Sequence, residues 1–244
     1  MIPDSVVQAQ DTPEGVGARV RRLFPQKQLM DYDPFVLLDE FFVDPTAGFP
    51  EHPHRGFEAV TYMLEGSFRH RDVLGNDSEV DTGGVQRFTA GKGLVHSEMP
   101  GGETRVSHGL QLWINLPRRL KHIEPSYQSV LPEEIPSEKT PGGGIRTVIG
   151  PFSPLELKTQ VVYLDIALQK DATYQMPVYR EFSAFLYVYR GRIEIAEKSC
   201  GQGQAYFLGQ SSAEAVYSRE SCGFVFLAGK PLGEPVYHNG PYID

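Results

Sequence analysis

Residues 49–66 read FPEHPHRGFEAVTYMLEG, and residues 174–191 read YQMPVYREFSAFLYVYRG, an offset of 125 positions in a chain of 244. Arg55 matches Arg180, Phe57 matches Phe182, Tyr62 matches Tyr187 and Gly66 matches Gly191. A repeat at about half the chain length points to two copies of one supersecondary plan. The repeated text is aromatic and β-branched and ends in glycine, which is the composition of strands closed by turns. Runs of the same kind recur at 35–42, 57–64, 67–73, 84–90, 109–116, 161–168, 184–190, 192–197, 204–209 and 223–229. No segment sustains a 3.6-residue period. Many short strands at close spacing predict an all-β sandwich or barrel. The stretch 131–144, LPEEIPSEKTPGGG, is polar and rich in breakers and reads as a linker. It divides the chain into an N-terminal unit, 1–130, and a C-terminal unit, 145–244.

The two copies differ in chemistry. Pro177 stands where His52 stands, Tyr179 replaces His54, and Ser183 replaces Glu58. A second histidine motif, Gly93-Leu-Val-His96-Ser-Glu98-Met-Pro, also falls in the first copy. Along a strand, residues i and i+2 share a face, so His52 and His54 project together about 7 Å apart, as do His96 and Glu98. Two such strands side by side would aim three imidazoles and a carboxylate at one point. The carboxylate is open between two residues. Glu98 shares the face of His96 at minimal spacing and is favoured as ligand, with Glu58 a partner orienting an imidazole or an alternative ligand.

Three nitrogens and a carboxylate suit Fe(II), and also Mn, Co, Ni, Cu or Zn, because affinity order alone does not select among them. No thiolate is near, which excludes a Cys-rich structural zinc site. Four ligands on an octahedral ion leave two positions for water, dioxygen or substrate, whereas tetrahedral zinc would be saturated. His70, His108, His122 and His238 read as ordinary satisfied polar groups. In Gly109–Pro117, Gln111, Trp113 and Asn115 alternate with Leu110, Leu112 and Ile114. One set faces inward, and the spacing does not say which; Trp113 reads as packing and Gln111 as a candidate to reach a pocket. Gly91-Lys92-Gly93 lacks the loop length and the Lys-Ser/Thr ending of a phosphate cradle.

Composition narrows the function classes. A net charge of −8 argues against direct nucleic-acid binding and against anionic membrane surfaces. No run of 18 apolar residues spans a bilayer. The N-terminus lacks the basic and apolar regions of a secretory signal. Two cysteines, Cys200 and Cys222, without Cys-x-x-Cys spacing, suggest a reducing, cytoplasmic setting.

At these motifs the chain resembles the pirin family of the cupin superfamily. The carrying text is Asp33-Pro-Phe-Val-Leu-Leu-Asp-Glu-Phe, His52-Pro-His-Arg-Gly-Phe-Glu58, Gly84-Val-Gln, Ala90-Gly-Lys-Gly-Leu-Val-His96-Ser-Glu-Met, Gly109-Leu-Gln-Leu-Trp-Ile-Asn-Leu-Pro, and the ending Gly233-Glu-Pro-Val with Gly240-Pro. The resemblance spans nearly the whole chain, although the C-terminal half is compact beside that of longer members. It implies a bicupin: two double-stranded β-helix, jelly-roll-like barrels face to face, with metal only in the N-terminal one. It places the ligands on His52, His54, His96 and Glu98, with iron the usual metal. Some members open the flavonol quercetin with dioxygen as quercetin 2,3-dioxygenases, and others act as nuclear co-regulators of transcription whose iron state modulates partner binding.

Two functions follow. A dioxygenase would take a small aromatic substrate plus dioxygen, with Glu98 shifting from ligand to general base. A metal-dependent or redox-sensing regulator would instead bind a protein partner. The discriminating feature is the space beside the metal: a deep apolar cavity favours catalysis, and a sealed site favours sensing.

Overall fold

The computed structural model describes residues 4–102, 106–209 and 214–244. Its first half contains β1 (Ser5–Gln8), β2 (Gln10–Glu14), β3 (Ala18–Phe24), β4 (Phe35–Val43), β5 (Phe49–His54) and β6 (Phe57–Glu65). It continues with β7 (Ser67–Asp72), β8 (Asp77–Asp81), β9 (Val85–Thr89), β10 (Leu94–Gly101), β11 (Ser107–Asn115) and β12 (Ser126–Val130). The second half opens with β13 (Ser137–Thr140), β14 (Gly143–Ile149), β15 (Val161–Leu168), β16 (Thr173–Gln175), β17 (Ser183–Arg190) and β18 (Arg192–Ile195). It closes with β19 (Lys198–Gly201), β20 (Gln204–Leu208), β21 (Ala215–Tyr217), β22 (Cys222–Gly229), β23 (His238–Asn239) and β24 (Tyr242–Ile243). Among the described residues the only helical element is the 3-10 turn Arg118–Leu120. Among the described residues no helix is long and apolar enough to cross a membrane.

The all-β architecture follows the sequence pattern, and the repeat appears as two sheets of matching order. One seven-stranded sheet runs β12-β9-β6-β11-β4-β3-β2, and the other runs β1-β20-β17-β22-β15-β14-β13. Each is accompanied by a four-stranded sheet, β5-β10-β7-β8 and β16-β21-β18-β19. Each pair of sheets closes a cupin barrel. The chain divides into a first barrel of Gln10–Glu134, Leu157–Thr159 and Leu232–Asp244 and a second of Ile135–Glu156, Gln160–Pro231 and the segment ending at Ala9.

These boundaries differ from the linear division into 1–130 and 145–244 at both ends. A sheet edge is completed by whichever segment pairs with it, so β1 joins β20 in the second barrel, while the last thirteen residues belong to the first. The expected linker 131–144 is also partly structured. Ser137–Thr140 forms β13 and pairs with β14, because Pro and Gly at its ends permit turns without preventing an edge strand between them.

Period-two alternation decides what each strand of the first barrel presents to its interior. On β6, Phe57, Ala59 and Met63 join apolar core clusters, and Thr61 on the same face bonds Glu98. On β11 the inward set is the polar one: Gln111 bonds Glu98 and Trp113 packs against the core. On β9 the inward residues are Gln86 and Phe88.

Candidate metal centre

The Phe49–His54 strand pairs antiparallel with β10, and the register places His52 directly opposite His96. An irregularity between His96 and Glu98 shifts that register, and β10 then pairs with β7 so that Glu98 faces His70. Cross-strand neighbours on one face lie about 5 Å apart, which is within reach of a shared ligand.

His52, His54 and His96 bring ring nitrogens within 4.8 Å of one another. The Nε2 atoms of His52 and His96 are 3.1 Å apart. The other nitrogens of the pair on β5 face backbone carbonyls. His52 Nδ1 lies 2.7 Å from the Pro50 oxygen, and His54 Nδ1 lies 3.3 Å from the Pro241 oxygen. A carbonyl only accepts, so each Nδ1 carries the proton and each Nε2 keeps its lone pair. Burial, reinforced by His96 and His52, pushes the His54 imidazole down to about 2. Burial, then His52 and His70, holds His96 well below its ordinary value. Both rings therefore stay unprotonated at neutral pH, as a metal ligand must.

Glu98 is buried and tightly oriented. Thr61 Oγ1 and Gln86 Nε2 donate to its Oε1 at 3.1 and 2.7 Å, and Gln111 Nε2 donates to Oε2 at 2.8 Å. A second triad, His70, His96 and Glu98, also lies within 4.8 Å. His96 belongs to both triads; Glu98 is grouped with His70 and His96, and His52 and His54 with His96 alone.

Glu58 stands elsewhere. Its Oε1 accepts from Thr89 Oγ1 and its Oε2 from the Lys158 N–H, each at 2.8 Å, so it orients no imidazole. The reason is geometric. The strand carrying His54 ends before Gly56, whose φ is +88°, and Glu58 sits on β6 on the face opposite Thr61. Burial raises its carboxyl, against the hydrogen bonds from Lys158 and Thr89. That marks a structural carboxyl on the outer face of the sheet.

His52, His54, Glu98 and Gln111 line one cavity of about 660 Å³. Its walls include Val20, Leu37, Phe41, Phe49, Phe68 and Trp113, together with the Arg22–Asp39 pair, which is bidentate at 2.9 and 2.6 Å. Trp113 stacks on Phe57 at 4.1 Å and meets His54 edge-on at 5.0 Å.

Sequence reasoning missed four supports of this site. His70 contacts His96 instead of standing apart. Thr61 and Gln86 hold Glu98, and a tail carbonyl 187 residues away from His54 contacts its ring. The one local signal was an inward polar residue on each of β6, β9 and β11, which a purely apolar core would not keep. Of the remaining histidines, His108 bonds Glu40 at 2.9 Å, His238 lies 3.7 Å from Asp31, and His122 lines a separate charged cleft with Arg55 and Arg118.

Comparison with known proteins agrees with this architecture. The family profile described as "Pirin" matches residues 17–114, and the "Pirin C-terminal cupin domain" matches residues 163–244. A pirin-like protein of Solanum lycopersicum is 41% identical over 94% of this chain and 82% of its own length. Pirin of Homo sapiens is 38% identical over 97% of this chain and 85% of its own length. Among solved structures, quercetin 2,3-dioxygenase from Acinetobacter baumannii superposes with a TM-score of 0.91 at 27% identity, covering 98% of this chain and 90% of that one.

Proposed function

The chain belongs to the pirin family, and from that premise we propose that it is a metal-dependent dioxygenase of flavonol-type aromatics, the quercetin 2,3-dioxygenase type. One divalent metal, Fe(II) by preference, is held by His52, His54, His96 and Glu98. The observation that carries this reading is the pair of Nε2 atoms 3.1 Å apart, beside a cavity that His52, His54 and Glu98 all line. Two donors at metal–nitrogen distances of about 2.1 Å and in adjacent positions stand roughly 3 Å apart, so the spacing fits one shared ion. The imidazole and carboxylate donor set suits Fe(II), Mn, Co, Ni, Cu and Zn alike.

When bound, such an ion supplies Lewis acidity that favours loss of the flavonol 3-hydroxyl proton. The protein's own groups do the rest. Phe41, Phe49, Phe68 and Trp113 offer ring faces and edges for a flat aromatic. Glu98 takes the proton, with Thr61, Gln86 and Gln111 fixing where its oxygens stand. A cavity of about 660 Å³ lies inside the range of roughly 300–1,000 Å³ usual for small-molecule sites, which favours catalysis over a sealed sensor. Similarity to a quercetin 2,3-dioxygenase over 98% of the chain supports the substrate class.

The test is anaerobic Fe(II) loading followed by quercetin in air, recording oxygen uptake and loss of flavonol absorbance. Turnover is expected in the parent and absent in the His52→Ala, His54→Ala double variant. An unreactive parent carrying one iron per chain would contradict the proposal.

A further inference from the structure

His70 and Asp72, one residue apart on β7, have fully buried side chains and meet through His70 Nε2 and Asp72 Oδ2 at 3.0 Å. The opposite nitrogen of the same ring, Nδ1, lies 3.3 Å from His96 Nδ1. His96 Nε2 then points to His52. The three side chains form an unbroken line from a carboxylate to the proposed metal position.

The direction of that line is fixed by what each atom can do. The Asp72 carboxylate is an acceptor on every side. Its Oδ1 takes the backbone N–H groups of Leu74 and Asn76 at 2.9 and 3.0 Å, and its Oδ2 takes Asn76 Nδ2 at 2.8 Å. His70 must therefore donate from Nε2. In a neutral imidazole the other nitrogen accepts, so His70 Nδ1 receives the proton of His96 Nδ1. His96 is left with a lone pair on Nε2, aimed at the lone pair of His52. The ring of His70 is held in plane by Tyr127, stacked at 4.2 Å and 21°. The same tyrosine donates to Gln86 Oε1 at 3.0 Å, and Gln86 in turn holds Glu98.

We propose that Asp72 and His70 are a positioning relay that fixes the tautomer of His96, so that its Nε2 lone pair is presented to the metal. The relay rests on the metal reading above for its purpose, but its proton arrangement exists in the metal-free protein and is read there. His52 and His54 take their tautomers from carbonyls of the main chain; His96 alone takes its tautomer from a buried carboxylate through a second imidazole.

The informative variant is Asp72→Asn. The two backbone N–H groups on Oδ1 keep the amide oxygen in place, so the amide nitrogen takes the Oδ2 position beside His70, with the Asn76 side-chain amide turned to accept from it. Its N–H then requires His70 Nε2 to accept, His70 Nδ1 to donate and His96 Nδ1 to accept, and the proton of His96 moves to Nε2. Long-range 1H–15N spectra of the metal-free protein distinguish the two forms by ring-nitrogen shifts. We expect His96 protonated on Nδ1 in the parent and on Nε2 in Asp72→Asn. Co(II) affinity, measured by chelator competition, should weaken about 10–100-fold. His70→Phe keeps the stack on Tyr127, removes the acceptor and should show a mixed His96 tautomer with a similar loss.

An unchanged His96 tautomer in Asp72→Asn, or an Nε2-protonated His96 in the parent, overturns the relay. Loss of Co(II) in His70→Phe as complete as in His54→Ala makes His70 a ligand, which also overturns it. A parent that binds no Co(II) but shows the predicted tautomers removes the metal reading and leaves the proton relay standing.

Discussion

The two barrels share one strand order and fill it differently. In the second, an apolar cluster runs through the interior, from Val162 and Leu164 on β15 to Phe224 and Phe226 on β22, with Met176 and Val216 buried in it. Tyr179, the counterpart of His54, packs against this cluster and stacks near Phe226 at 6.0 Å. In the first barrel, two apolar clusters, one around Phe41 and Phe68 and one around Phe57 and Phe88, flank buried histidines, Glu98, Thr61 and Gln86. Among the described residues, every buried polar or charged side chain belongs to the first barrel except Ser218. Closing the same sheets over polar groups is favourable only if each is paired, and the pairing is what builds the site. One copy of the fold fills its interior with apolar side chains, and the other keeps paired polar groups there.

The largest expected effect breaks the apolar copy. Phe226→Ala should cost about 3–5 kcal/mol in urea unfolding through the cavity it leaves, with metal stoichiometry unchanged. Unfolding that releases the metal at the same midpoint would show the two barrels to be a single cooperative unit.

A smaller effect concerns the tail. Gly56 carries no Cβ where the Ile243 carbonyl approaches, and Lys121 Nζ donates to the Gly56, Asn115 and Ile243 oxygens at 3.0, 2.7 and 2.8 Å. Burial brings that ammonium down to about 8. Arg55 holds Asp244 through both carboxylate oxygens. Removing residues 240–244 frees His54 Nδ1 from its carbonyl, and metal affinity by chelator competition should fall about 10–100-fold. An unchanged affinity would detach the tail from the site.

Acid sharpens the contrast between the copies. His54 and His96 are depressed in the folded state, so below about 6.5 the unfolded chain binds protons that the folded chain does not. Stability from these groups is complete above that pH and is lost as pH falls, at about 1.4 kcal/mol per pH unit per histidine. Hydrogen exchange on metal-free protein at pH 7 and pH 5 should therefore show β5 and β10 loosening while β15 and β22 hold. Uniform loosening would contradict it.

The smallest effect is a silence. Cys200 and Cys222 are buried in the second core, and burial pushes the Cys200 thiol up to about 12. Ellman's reagent should react with neither until the protein unfolds; rapid labelling of the native protein would show that this core is open.

Much of this was legible in the sequence because it is local. Alternation within a strand put His52 with His54 and His96 with Glu98, and the ten strand-like runs all fall on strands of the structure. What was not legible depends on pairing between distant segments. The position of His70 beside His96 follows from the β7–β10 register, and the exchange of chain ends follows from which edge each end completes. Sequence spacing alone sets Glu58 beside His54, whereas the turn at Gly56 moves it to a new strand and to its outer face. In Gly109–Pro117 the sequence offered two faces. The structure turned Gln111 and Trp113 inward because Glu98 needs the donor and the cavity needs a wall.

The most direct measurement is equilibrium dialysis of Co(II) against three proteins at neutral pH. These are the parent, the His52→Ala, His54→Ala variant, and the Pro177→His, Tyr179→His variant that copies the histidine pair into the second barrel. The account predicts one ion, none, and still one, because Pro177 and Tyr179 lie beyond β16 (Thr173–Gln175), outside the strand pairing that sets the β5 histidines against His96 in the first barrel. Metal retained by the double alanine variant, or two ions in the parent, would contradict the claim that the first barrel alone holds the metal through its β5 histidines.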